Sequence, residues 1–293
     1  MTRSALAAGL VFCALLPAAS AQEVSHTPLV IKTGGTAEQP AIYDGHGITI
    51  DLGIDVTDQD WEKQGDLWTA KTPFSGPKPI IVGQNGTGLF LDEMPLIVAR
   101  DRVAERARTE PSADLLFQPP EKLQPGQMGV YSDGRMYFRW PKNKSPETTR
   151  IIALPKPWTS AVTIACSHII VKNITARHAC NDGFNIHGNR VGIRLENVKA
   201  FSNGDEGISA HDDVQMEVDG AEVAWNGSVD AGITDVDRCS THYRNCYVHD
   251  NVGAAFKLIG KSHSVTDTLI ERQAKDFVIG RMTEFRQARI ERK

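Results

Sequence analysis

The sequence predicts an all-β solenoid, a stack of short parallel strands wound into coils, with a β-rich segment inserted in its N-terminal half. Three observations predict it. Two separate ladders of residues recur at about two dozen positions. Short apolar runs within each repeat alternate with period two. Asn, Gly and Asp separate those runs, as tight turns require.

The 293 residues carry a net charge of −4, with 41% hydrophobic and 23% charged residues. That suffices for one large domain with a real core. No basic run is present to neutralise phosphates, so nucleic acid is not an expected partner. Residues 1–21 begin with Arg3, continue through an apolar run and end in Ala19-Ser20-Ala21, the pattern of a cleaved secretory signal. The run is too short for a comfortable membrane span. The expectation is a secreted or periplasmic monomer, cut after Ala21 and leaving no membrane anchor. A lipoprotein attachment at Cys13 is disfavoured, because Phe12 stands where a small residue is needed. Cys166, Cys180, Cys239 and Cys246 remain in the mature chain. They allow three disulfide pairings, or none if they serve as small buried hydrophobes.

Residues 22–53 read as an N-terminal cap and first coil, with "AIYDGHGITIDL" as strands around glycine turns. Residues 54–150 break the cadence. They read as a β-hairpin-bearing insertion, with Ser132-Asp133-Gly134-Arg135 as a hairpin turn between aromatic strands. A loop or short helix is expected within 101–123. The insertion could wall a cleft beside the coils or cap their N-terminal end.

Residues 151–293 hold the coils. "DGFNIHG" aligns with "EGISAHD", pairing Gly183 with Gly207, Phe184 with Ile208 and His187 with His211, all 24 apart. Ile233, Phe256 and Phe277 continue the row at steps of 25, 23 and 21. A second ladder runs Asn173, Asn197, Gly220, Asn245, Asp267, Gln287. Such a unit cannot bury its own inner face, and stacking supplies the partner. Buried Asn side chains can then bond coil to coil. This cadence resembles the right-handed parallel β-helix, the fold of pectate lyases, polygalacturonases and many exported polysaccharide-degrading proteins. The resemblance covers about 160–293 and implies a carbohydrate-active protein with a polysaccharide substrate or ligand. A leucine-rich repeat lacks support, since its LxxLxL signature is absent.

Alternation assigns faces. With Phe184, Ile208, Ile233 and Phe256 inward, Asn185, Ser209, Thr234 and Lys257 point outward in a row about 4.8 Å apart. His187 and His211 form a neighbouring pair, followed by Asp212 and Asp213. Arg190, Asp235, Asp237 and Arg238 lie close in register. The candidate catalytic residues are therefore His187, His211, Asp212, Asp213 and Lys257. Asn185, Arg190, Ser209, Thr234 and Arg238 are the candidate substrate contacts. Two reactions fit. β-Elimination from a uronic-acid polymer needs a base (Lys257, His187 or His211) and a cation for the substrate carboxylate. That cation could be Arg190, Arg238, or Ca²⁺ held by Asp212, Asp213 and Asp235. No other cofactor is expected. Glycoside hydrolysis instead needs two carboxyl groups, from Asp212 or Asp213 with Asp235 or Asp237. The polygalacturonase Gly-His-Gly and Arg-Ile-Lys motifs are absent. A lyase on an acidic glycan is the leading expectation, with a hydrolase or a non-catalytic glycan-binding protein as alternatives. Asp182, Asp205 and Glu206 precede glycines and are assigned to turns.

Overall fold

The computed structural model describes residues 23–71, 87–100, 119–125, 127–131, 133–141, 144–145, 148–154 and 158–293. The expected signal segment, 1–21, lies outside them. Among the described residues there is no α-helix, only a 3-10 turn at Pro120–Lys122.

The chain forms a parallel β-solenoid. One face stacks Leu29–Ile31, Val162–Ile164, Phe184–Ile186, Ile208–Ala210, the starts of Ala231–Arg244 and Ala254–Glu271, and Phe277–Ile279, all parallel. A second face stacks Ala41–Asp51, Ile169–Arg177, Asn189–Glu196, Asp213–Asp219, the later parts of the two long strands, and Glu284–Arg292. A third face stacks Lys199–Phe201, Glu222–Ala224 and Tyr247–His249. The first coil, near 29–51, thus pairs directly with the coil at 162–177, although more than a hundred residues separate them.

Period-two alternation turns Val162, Phe184, Ile208, Ile233 and Phe256 into one continuous core. The opposite face contributes Ile169, Ile193 and Met216, and Val171, Leu195 and Val218. Corners close each coil through left-handed residues. Asn173, Asn197, Gly220, Asn245 and Asp267 all have φ between 49° and 74°. Asn, Asp and Gly tolerate that region best, which explains the second sequence ladder. Its last step differs, because Gln287 lies within a strand, paired with Val265, and the corner falls at Arg289 (φ 53°).

The glycines at 183, 207 and 232 do a different job from the expected turn. None has a positive φ. A Cβ on Gly183 would sit 2.8 Å from Asn203 Nδ2, on Gly207 2.8 Å from Asn226 Nδ2, and on Gly232 2.6 Å from Asn251. Those three Asn form a buried ladder. Asn203 Nδ2 donates to Asn226 Oδ1, and Asn226 Nδ2 donates to Asn251 Oδ1, both at 2.9 Å. Only glycine lets the start of each coil approach the Asn near its end so closely.

Residues 54–153 add an eight-stranded sheet of mostly antiparallel strands. The expected hairpin pairs Gln127–Val130 with Arg135–Arg139 across Gly134 (φ 79°). Residues 101–118 and Ser132 lie outside the described residues. The turn between Thr87–Leu91 and Met94–Arg100 docks on the solenoid: Arg177 Nη2 donates to the Glu93 carboxylate at 2.7 Å, and Ser202 Oγ donates to it at 2.9 Å. Cys166, Cys180, Cys239 and Cys246 are buried thiols. Burial pushes Cys239 and Cys246 up to about 12.

Candidate functional site

The outward row of the first face is confirmed in register: Thr163, Asn185, Ser209, Thr234, Lys257 and Val278 stack coil on coil. Beside it opens a cleft of about 220 Å³. Its floor is acidic. Asp182 and Asp205-Glu206 immediately precede Gly183 and Gly207, so the close approach to the Asn ladder also fixes these side chains. One carboxylate oxygen from each of the three residues lies within 4.8 Å of the others. All are buried, with 3%, 4% and 7% of their surface exposed.

Burial and mutual repulsion raise all three above the usual carboxylate range. Carboxyl groups this close cannot all be ionised, so the cluster retains protons and titrates as a unit. Its neighbours orient it. Asn181 Nδ2 and Asn185 Nδ2 donate to Asp182, and Ser228 Oγ donates to Glu206 at 2.9 Å. The same three residues are the group whose oxygens could converge on a hard cation.

One wall carries His187 and His211, stacked with centroids 4.2 Å apart and planes 9° from parallel. Desolvation holds both below the ordinary histidine range, against the opposing pull of Asp212 and Asp237. They are neutral at neutral pH. His211 Nε2 bonds Ser209 Oγ at 2.9 Å. On the other wall Lys257 Nζ meets the Asp230 carboxylate at 2.6 Å. Thr234 lies between, 4% exposed, and its Oγ1 has no hydrogen-bond partner.

The structure therefore brings together His187, His211, Lys257, Asn185 and Thr234, with Ser209 behind His211. It sends the other expected residues elsewhere. Asp212 sits at a left-handed corner (φ 64°), behind the histidine wall with its carboxylate 3.7 Å from His187 Nδ1; it accepts the Gly188 N–H at 2.8 Å and donates its own N–H to Asp237 at 3.0 Å. That makes Asp212 and Asp237 a corner ladder. Asp213 is bound by Lys261 at 2.7 Å and Arg238 at 3.2 Å. Arg190 turns back to the His187 carbonyl. Asp235 points inward, completely buried, where Tyr243 and Thr241 donate to it. Asp212, Asp213 and Asp235 therefore do not converge on a Ca²⁺ ion, because corner, ion-pair and core positions separate them. The carboxyl pair expected for hydrolysis from these residues is corrected for the same reason. The acidic floor was missed because an acid before glycine was read as a turn. Its signal was the 24-residue repeat of that acid, Asp182 to Glu206. Among the described residues, none that lines the cleft comes from 54–150.

No family model and no curated protein matches the chain. Among solved structures, one described as "Glycoside hydrolase" is similar at 11% identity and TM-score 0.41, over 92% of this chain and 87% of the other. Another, "The complex structure of XylC with xylose", is similar at 10% identity and TM-score 0.48, over 93% of this chain and 64% of the other. Likeness at this level carries no argument about function. The solenoid rests on the strand register.

Proposed function

We propose that this cleft hydrolyses glycosidic bonds in a polysaccharide, as an exported β-solenoid enzyme. The observation that carries this reading is the cluster of Asp182, Asp205 and Glu206 on the floor of an open cleft, held above the usual carboxylate range. Glycoside hydrolysis needs one carboxyl that still holds a proton for the leaving oxygen. It needs a second, ionised, to act on water or on the anomeric carbon. A proton-sharing cluster on a rigid sheet supplies both at near-neutral pH. Asn181, Asn185 and Ser228 orient the carboxyls.

Elimination from a uronate remains the second reading, because His187 and His211 are neutral and so able to accept a proton. The products separate the two. Incubation with a panel of polysaccharides is expected to release reducing ends without the ultraviolet absorbance of an unsaturated sugar, and to survive a chelator. Glu206→Gln should lower the rate by about 10²-fold or more. Unsaturated product would establish elimination. Loss of activity on chelation would reassign the acidic floor to a metal. Binding without cleavage would leave a glycan-binding protein.

A further inference from the structure

We propose that the cleft takes an uncharged glycan and discriminates against uronates, a reading that rests on the hydrolytic site above. A substrate carboxylate needs an unpaired cation at its subsite, and the described residues lining this cleft offer none. Lys257 is the cation among them, and its ammonium lies 2.6 Å from the Asp230 carboxylate. Three nearby cations are committed elsewhere. Lys261 and Arg238 both hold Asp213, and the Arg190 guanidinium bonds the His187 carbonyl.

With Lys257 and Asp230 cancelling, and both histidines neutral, the charge of the lining is set by the three floor carboxyls. It is zero or negative in every protonation state. A uronate entering such a site meets like charge, which costs affinity without compensation. A neutral sugar meets complementary groups. Thr234 is among the lining residues at 4% exposure, and its partnerless Oγ1 is closed to solvent. The half-exposed His187 ring adds a neutral donor or acceptor.

Asp230 is thus a specificity residue: it masks the one cation among the described lining residues that could have read a carboxylate. Its side chain is about half exposed, so replacing it removes little packing.

The test is calorimetric binding at pH 7.5 to full-length Glu206→Gln, with Asp182→Asn as a second background. The probes are xylohexaose, mannohexaose and laminarihexaose, each neutral, and hexagalacturonate. At least one neutral probe should bind at least tenfold more tightly than hexagalacturonate. Adding Asp230→Asn should unmask Lys257 and raise hexagalacturonate affinity roughly two- to fivefold, the scale of one exposed ion pair. Hexagalacturonate binding as tightly as the neutral probes would overturn the proposal, as would failure of every probe to bind. Hydrolysis of polygalacturonate by the wild type would sink the proposal and leave the hydrolytic reading standing. Neutral binding without wild-type cleavage would do the reverse.

Discussion

Asp235 occupies a place its neighbours in the stack give to apolar residues. Its row runs Ile164, Ile186, Ala210, Asp235, Leu258. The facing sheet answers with polar residues at the same levels: Thr241 and His263 continue the row of Ile193 and Met216, and Tyr243 that of Leu195 and Val218. Burial pushes the Asp235 carboxyl up to about 7 and His263 down to about 4, so the two form a neutral network despite lying 3.8 Å apart. Thr241 Oγ1 bridges them. Between about pH 4 and 7 the folded protein holds an Asp235 proton that the unfolded chain has lost. Asp235 therefore costs stability as pH rises through that window, by about 1.4 kcal/mol per unit. His263 has the opposite slope between 6.5 and about 4, since there the unfolded chain is the one holding the proton. Asp235→Asn isolates the first effect. Its stability relative to wild type, from urea unfolding at several pH values, should climb between pH 4 and 7 and level off above. A difference that ignores pH would show that the carboxyl is ionised in the fold. The sequence did not display this position. Its place beside Asp212 and Asp213 in register suggested an outward carboxylate, and the polar partners that hold it inward come from 6, 8 and 28 residues later.

At the scale of the element, each coil is held by two kinds of ladder with different tolerance. The exposed corner ladder asks only for a left-handed residue. Asn197→Gly keeps φ 49° accessible and loses one bond, Asn197 Nδ2 to Asn173 Oδ1. It should cost within about 1 kcal/mol. The buried ladder asks for one side chain. Asn226 donates to Asn251 and to the Ala200 carbonyl, and its Oδ1 accepts from the Asn203 backbone and side chain. Asn226→Ala should cost roughly 3–5 kcal/mol, seen as a lower urea midpoint. Gly207→Ala should also destabilise, by about 1–3 kcal/mol, because its Cβ would lie 2.5 Å from Val223. Equal costs for Asn197→Gly and Asn226→Ala would contradict this division. The apolar rows and the corner ladder were legible in the sequence, because alternation and left-handed preference are local properties. The Gly–Asn contact was legible only as a spacing. Its cause is an approach between positions some twenty residues apart, and reading Gly as a turn hid both the contact and the carboxyls it positions.

Across the whole molecule, the solenoid converts a 24-residue repeat into side chains stacked a strand apart. Function is proposed where the repeat is least regular. His187 and His211 repeat faithfully, and stacking makes them neighbours as their spacing implied. The acids do not repeat faithfully: one coil carries Asp182, the next Asp205-Glu206, and the third Ala231 in the matching place before its glycine. That irregularity concentrates three carboxyls at one level of the stack. Asp212 and Asp213, adjacent in sequence to a histidine, are drawn off to a corner and an ion pair. Asp212→Ala should therefore leave the rate within a few-fold of wild type, in contrast to the loss for Glu206→Gln. The most direct test is mass spectrometry of the products from one defined oligosaccharide. The account predicts that the product masses sum to the substrate plus one water, and that Glu206→Gln yields no products. Products summing to the substrate alone, or full activity in Glu206→Gln, would contradict it.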